Sequence, residues 1–173
     1  MNEISNASAI TADELVPWAL SKYEKPLMSY AFSMLRDVEQ SRDAVQDTFI
    51  KLSQQEPETI REAVKAWLFT VCRNRALDML RKQRPMISVE PIALEAVECE
   101  VPSPAENAAS RDSHGRALAV LDQLPENQRE VIRLRFQNDL SYREISEITE
   151  LSVGNVGFLL HTGLKHLRDL LNG

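Results

Sequence analysis

Apolar residues recur at three- and four-residue steps through most of this chain, the spacing of a helix with one buried face. Leu20, Tyr23, Leu27, Tyr30/Ala31 and Met34/Leu35 form one such run. Asp37, with Gln40 three residues on, has the pattern of a capping box and opens the next helix, which carries Val45, Phe49 and Leu52. "EPET" interrupts, and a third helix is expected from about Glu62 to Arg84, stopped by Pro85. The periodicity resumes at about Ser113, and Pro125 is placed to start a further helix, "ENQREVIRLRF". Between these halves, residues 85–112 hold Pro85, Pro91, Pro102 and Pro104, no aromatic residue and a block of acids. That is the composition of a linker. The expected fold is all-α: an N-terminal helical bundle over residues 13–85, a flexible acidic linker over 86–112, and a small helical domain over 113–173.

The C-terminal domain carries a more particular pattern. In "LSYREISEIT", Ser141 as N-cap puts Glu144 at the third helical position, and Leu140 then faces Ile145 as a hydrophobic staple. A turn, "ELS", leads to Ser152, a second N-cap, and to "SVGNVGFLLHTGLKHL". Short helix, tight turn and longer helix make a helix-turn-helix, whose second helix enters the major groove. Val156, Leu160, Leu164, Leu167 and Leu171 make that helix's packed stripe. Gly154, Asn155, Phe158, Thr162 and Lys165 lie opposite, with His161 on the flank. Asparagine can bond adenine, and an apolar group can meet a thymine methyl. Gly154 would let backbone approach a duplex closely, and Gly163, nearer the packed side, would permit close helix packing. From Glu144 to Leu164 the sequence contains no lysine or arginine. A plain packed helical hairpin therefore stays open as an alternative, since phosphate contacts supply most nonspecific affinity.

Charge changes this picture. The net charge of −6 argues against a polyanion partner until it is divided along the chain. Residues 61–85 hold seven bases and two acids, whereas residues 86–110 hold five acids and no base. Most of that basic segment falls on "AWLFTVCRNRALDMLRKQR", where Trp67, Arg73, Asn74, Arg81 and Arg84 share an arc of about 120°. An aromatic ring, an amide and three guanidiniums on one face suit an unpaired base beside phosphates.

Other classes find little support. No glycine-rich phosphate loop or nucleophile motif is present, so an enzyme is not expected. Cys72 and Cys99 belong to no paired motif, and His114, His161 and His166 lack partners at ligand spacing. Neither a metal nor a cofactor is expected. No apolar run approaches the ~20 residues of a membrane span. The acidic N-terminus lacks the basic n-region of a signal peptide, so the expected location is cytoplasmic, without membrane insertion.

Taken in order, three segments make the chain resemble the extracytoplasmic-function sigma factors of bacterial RNA polymerase. "SRDAVQDTFIKL" is similar to the family's core-binding helix, and "AWLFTVCRNRALDMLRKQR" to the helix that melts and reads the −10 promoter element. "LDQLPENQREVIRLRFQNDLSYREISEITELSVGNV" resembles the region that reads the −35 element. The resemblance implies a factor that binds core RNA polymerase and directs it to promoter DNA, with an anti-sigma protein as a further partner. It places Asp43, Gln46, Asp47 and Phe49 at the polymerase surface. Arg61, Trp67, Arg73, Asn74, Arg81 and Arg84 fall at the −10 element. Arg143, Ser152, Gly154, Asn155, Phe158, His161, Thr162 and Lys165 fall at the −35 element. Two departures stand out: Glu150 in the turn where members often have glycine, and Gly157, Phe158 and Leu159 where basic and small polar residues are common. A left-handed backbone at Glu150 would carry mild strain. The competing reading is a helix-turn-helix regulator acting without core polymerase, which leaves the basic helix idle. A structural interaction protein would use only the acidic N-terminal half.

Overall fold

In a computed structural model of the chain, residues 11–84 and 108–172 are described. The described elements are helices, which fall into two compact units. The first is centred on α1 (Ala12–Leu35), α2 (Val38–Ser53), the short α3 (Pro57–Ile60) and α4 (Val64–Gln83).

Helix α1 starts earlier than the apolar run from Leu20 predicts. Thr11 and Glu14 close a reciprocal capping box, and Thr11's backbone N–H, donating to the carboxylate, holds the Glu14 carboxyl below its ordinary range. The helix then continues through Pro17 and Pro26, each of which removes a backbone donor. It survives because Leu15, Ala19, Tyr23 and Leu27 on its inner face are all buried, so tertiary packing outweighs the local penalty. Arg36, at φ 54°, ends it in the left-handed region.

Helices α1, α2 and α4 pack against one another. Small residues at their contacts (Ala19, Ala31, Ser41, Ala44 and Ala76) have no exposed surface and let the backbones come close. Phe69, Leu68, Leu52 and Leu27 fill the space between them, with Tyr30 tilted on Phe69 at 5.3 Å between ring centres. Asp37 caps α2 by accepting from the Gln40 N–H at 2.9 Å. The Gln40 side chain, however, accepts from Gln83 at the end of α4 and does not reach back to complete the box.

The second unit is centred on α5 (Ala108–Leu121), α6 (Glu126–Ile132), α7 (Tyr142–Thr149) and α8 (Val153–Asn172). Helix α5 begins five residues ahead of the expected start at Ser113, because "AASRD" is rich in helix formers with no breaker. The remainder of the expected linker lies outside the described residues. "ENQREVIRLRF" is not one regular helix: after Ile132 it widens into a π-helical turn, Arg133–Gln137. Side chains satisfy the loosened backbone there. Asn138 donates to the Arg133 carbonyl at 3.1 Å, and Arg135 donates to that of Leu140 at 3.0 Å. The Arg133 guanidinium is buried and pairs with Asp122 at 3.2 Å. Both helices α5 and α6 pack on α8.

Candidate nucleic-acid and polymerase surfaces

Helix α4 presents its expected face. Its inner side buries Val64, Leu68 and Cys72, while Asn74 and Arg81 are exposed and Trp67 and Arg73 are half-buried. Trp67, Asn74 and Arg81 follow at seven-residue intervals, so they form one ridge of about 21 Å along the helix. Arg81 bonds Asp78 at 3.3 Å in an exposed pair, which costs little to exchange for a phosphate. Arg61 is half-buried just after α3. Arg84 does not belong to the helical arc. It is exposed, with extended backbone (φ −70°, ψ 113°), because Pro85 drives the residue before it out of the helical region.

On α2, Asp43 and Gln46 are exposed and Asp47 is partly so, its carboxylate accepting from Arg75 Nε at 2.5 Å. Phe49 is different: it is 6% exposed and sits in the core of the first unit. Ile50 occupies the surface instead, 56% exposed. The geometry requires this. Positions 43, 46, 47 and 50 are at i, i+3, i+4 and i+7 and share a face, whereas 49 is turned about 120° away from 43. That count was available from the sequence.

The helix-turn-helix of the second unit has both predicted caps. Ser141 and Glu144 bond reciprocally, backbone N–H to side chain, at 2.7 and 3.2 Å. The Asn155 N–H donates to Ser152 Oγ at 3.1 Å. Leu140 and Ile145, the expected staple pair, have no exposed surface. In the turn, Glu150 adopts φ 61°, the left-handed conformation anticipated for it.

The stripe on α8 is packed only over its first half. Val156, Leu160 and Gly163 are buried, but Leu164 is 36% and Leu171 59% exposed, because the helix runs on past the short α6 that covers it. Gly163 has the close contact expected of it: a Cβ there would lie 2.8 Å from Ile132 Cδ1 and 3.2 Å from Gln128 Cβ. Gln128 also donates to Thr162 Oγ1 at 3.3 Å and accepts from His166 Nδ1 at 2.8 Å, joining α6 to α8.

The outward face holds Gly154, Asn155, Phe158, His161 and Lys165, all exposed, with Arg143 exposed on α7. Phe158 is 64% exposed, so the packed-hairpin alternative loses its main requirement. Thr162 is half-buried: its hydroxyl donates to the Phe158 carbonyl at 2.9 Å and accepts from Gln128 of α6, so it faces α6 and not the outward side. Ser152 spends its hydroxyl on the cap. Sequence reasoning did not single out Tyr142, which lies 3.6 Å from where a Gly157 Cβ would be and carries the Arg135 guanidinium over its ring at 5.6 Å.

Among the described residues, no group of His, Cys, Asp and Glu could hold a metal ion, and no helix is long and apolar enough to cross a membrane.

Known proteins share these elements. The sequence profile of Sigma-70 region 2 matches residues 19–85, and that of Sigma-70 region 4 matches residues 114–167. The chain is 26% identical over 164 residues to the ECF RNA polymerase sigma factor SigM of Bacillus subtilis, covering 94% of this chain and 96% of SigM. It is 30% identical over 151 residues to the ECF RNA polymerase sigma factor SigX of the same organism, covering 84% and 78% respectively. Among solved structures, it shares its fold with the sigma factor RpoE of Bartonella quintana in complex with the anti-sigma factor NepR, at 23% identity and TM-score 0.64, over 90% of this chain and 96% of that one. Two sigma regions matched in order, on helical units with these exposed faces, lead to one assignment: the chain belongs to the ECF sigma factors of RNA polymerase.

Proposed function

We propose that this sigma factor binds core RNA polymerase through the α2 face of Asp43, Gln46, Asp47 and Ile50. In this reading it opens the −10 element on the α4 ridge and reads the −35 element with α8. The carrying observation is the co-occurrence of both sigma regions, each on a helical unit whose outward face has the chemistry its role requires. Residues 13–85 and 113–173 are the working domains, and the acidic residues 86–112 connect them. At the −10 element, Trp67 supplies a stacking surface and Asn74 a base contact, while Arg61, Arg73, Arg81 and Arg84 supply positive charge near phosphates. At the −35 element, Asn155 and Phe158 face base edges, with Arg143, His161 and Lys165 on the flanks. Ser152 contributes by capping α8, and Thr162 by holding its register against α6.

The factor works in the cytoplasm and carries no catalysis of its own; the bond-forming chemistry belongs to the polymerase. An anti-sigma protein is proposed as a further partner, by analogy with the RpoE complex.

The test is reconstitution with core polymerase and a randomised promoter library. Stoichiometric association with core and selective transcription from a subset of templates are expected. Failure to associate with core, combined with sequence-specific duplex binding by the chain alone, would return the protein to the regulator class.

A further inference from the structure

We infer that the −35 reader of this chain selects thymine by apolar contact, the Phe158 ring packing on a thymine C5 methyl in the major groove. The inference rests on the proposed role of α8 and names the base feature it recognises.

Three observations support it. First, Phe158 is 64% exposed at the centre of the outward face. A large apolar ring held in water on the outward side of a groove-reading helix needs an apolar feature to meet. In the major groove only thymine offers a methyl group.

Second, the surface beside the ring is bare. Helical side chains lean towards the N-terminus and cover the turn before their own Cα. For Phe158 that turn contains Gly154, and nothing lies within 4 Å of where a Gly154 Cβ would be. A base edge can therefore approach the ring and the backbone together, which gives this glycine a use.

Third, the polar readers are few. Ser152 Oγ is held in place as the acceptor that caps α8, Thr162 donates its hydroxyl to the Phe158 carbonyl, and the sequence has no lysine or arginine between Arg143 and Lys165. The guanidinium-to-guanine contact, the commonest specific one, has no donor in the first three turns of α8. Asn155 remains for adenine at the centre of the face, with His161 on its flank, so the central contacts suit an A·T pair read through one amide and one methyl.

The experiment uses the holoenzyme assembled from core polymerase and this chain, on the promoter it prefers from a randomised library. Each −35 thymidine is replaced in turn by deoxyuridine, which keeps base pairing and removes only the methyl. At one position, initiation should fall about fourfold, the ratio equivalent to about 0.8 kcal/mol for one buried carbon. Phe158→Ala holoenzyme should be insensitive to that replacement, with the variant's melting temperature and core association unchanged. With a G·C pair at that position, 5-methylcytosine should outperform cytosine for the wild-type chain only.

Equal initiation on thymine and uracil templates, with −35 selectivity intact, would assign the reading to groove shape and overturn the inference. So would a preferred −35 element without thymine. Weakened core association in Phe158→Ala, with the uracil response preserved in the holoenzyme that still forms at higher core concentration, would make the ring a protein contact and overturn the inference. Absence of any promoter-directed transcription would overturn the proposed role of the chain itself, and the inference with it.

Discussion

Cys72 is fully buried on the inner side of α4, where burial pushes its thiol up to about 12 against the smaller, opposing effect of a hydrogen bond with Thr48. The folded state thus prefers the protonated thiol, while the unfolded chain releases the proton near its ordinary value of 9.0. The stabilisation is complete below that value and is lost as pH rises from there towards 12. Denaturant midpoints measured from pH 8 to 11 should therefore fall more steeply for the wild-type chain than for Cys72→Ala; parallel curves would remove the effect. The pair Phe49 and Ile50 shows how much one residue step matters on a helix. Phe49→Ala opens a cavity in the first unit and should cost about 3–5 kcal/mol in chemical denaturation. Ile50→Ala trims a side chain that is more than half exposed, so stability should change far less, by about 0.5 kcal/mol. Its effect should appear in titration against core polymerase, as a loss of about 1–2 kcal/mol in affinity. The opposite pattern would move the polymerase surface off this face.

Within single elements, the glycines of α8 separate propensity from packing. Gly154 and Gly163 carry the same intrinsic penalty relative to alanine, about 0.8–1 kcal/mol. Gly154 has open space around its Cα, so Gly154→Ala should stabilise the second unit by up to that amount. Gly163→Ala would drive a methyl to within 2.8 Å of the buried Ile132 side chain. Overpacking of this kind costs about 1–3 kcal/mol, so the net change should be destabilising by roughly 0–2 kcal/mol. Thermal unfolding of the two variants should shift in opposite directions, and a common shift would mean that α6 yields freely. Helix α4 separates specificity from affinity in the same manner. Asn74→Ala should alter sequence preference at the −10 element and slow open-complex formation. Arg81→Ala and Arg84→Ala should weaken binding across sequences and lower the salt slope by about one each, as lost phosphate contacts do. Identical losses and slopes in all three variants would contradict this division of labour.

For the whole molecule, the uneven charge matters more than its sum. Seven bases stand against two acids in residues 61–85, and the following 25 residues carry five acids and no base. Two units of roughly 65–75 residues also bury only about 60% of their unfolded surface, which makes each marginal by itself. Specific promoter binding is therefore expected only in the presence of core polymerase. The free chain should bind promoter duplex no better than the nonspecific range of about 10⁻⁴–10⁻⁶ M at physiological salt. Fluorescence anisotropy with the isolated chain measures this, and nanomolar sequence-specific binding would refute it.

By itself the sequence determined the helical class, the order of the segments and most helix ends. These follow from local causes: apolar periodicity, the Ser141–Glu144 box, the Ser152 cap and the halt at Pro85. The left-handed backbone at Glu150 was legible only through the family resemblance, whose members often have glycine at that turn position. Tertiary structure decided what depends on a neighbour. It carried α1 through Pro17 and Pro26, because burial of Leu15 and Ala19 outweighs two missing hydrogen bonds. It left Leu164 and Leu171 in the open, since an apolar stripe is buried only as far as its partner helix extends. It also turned Thr162 towards Gln128 and held Phe158 in solvent. The period of a helix shows which side chains share a face, but only packing shows which faces are covered, and the uncovered ones are where this chain can meet polymerase and promoter.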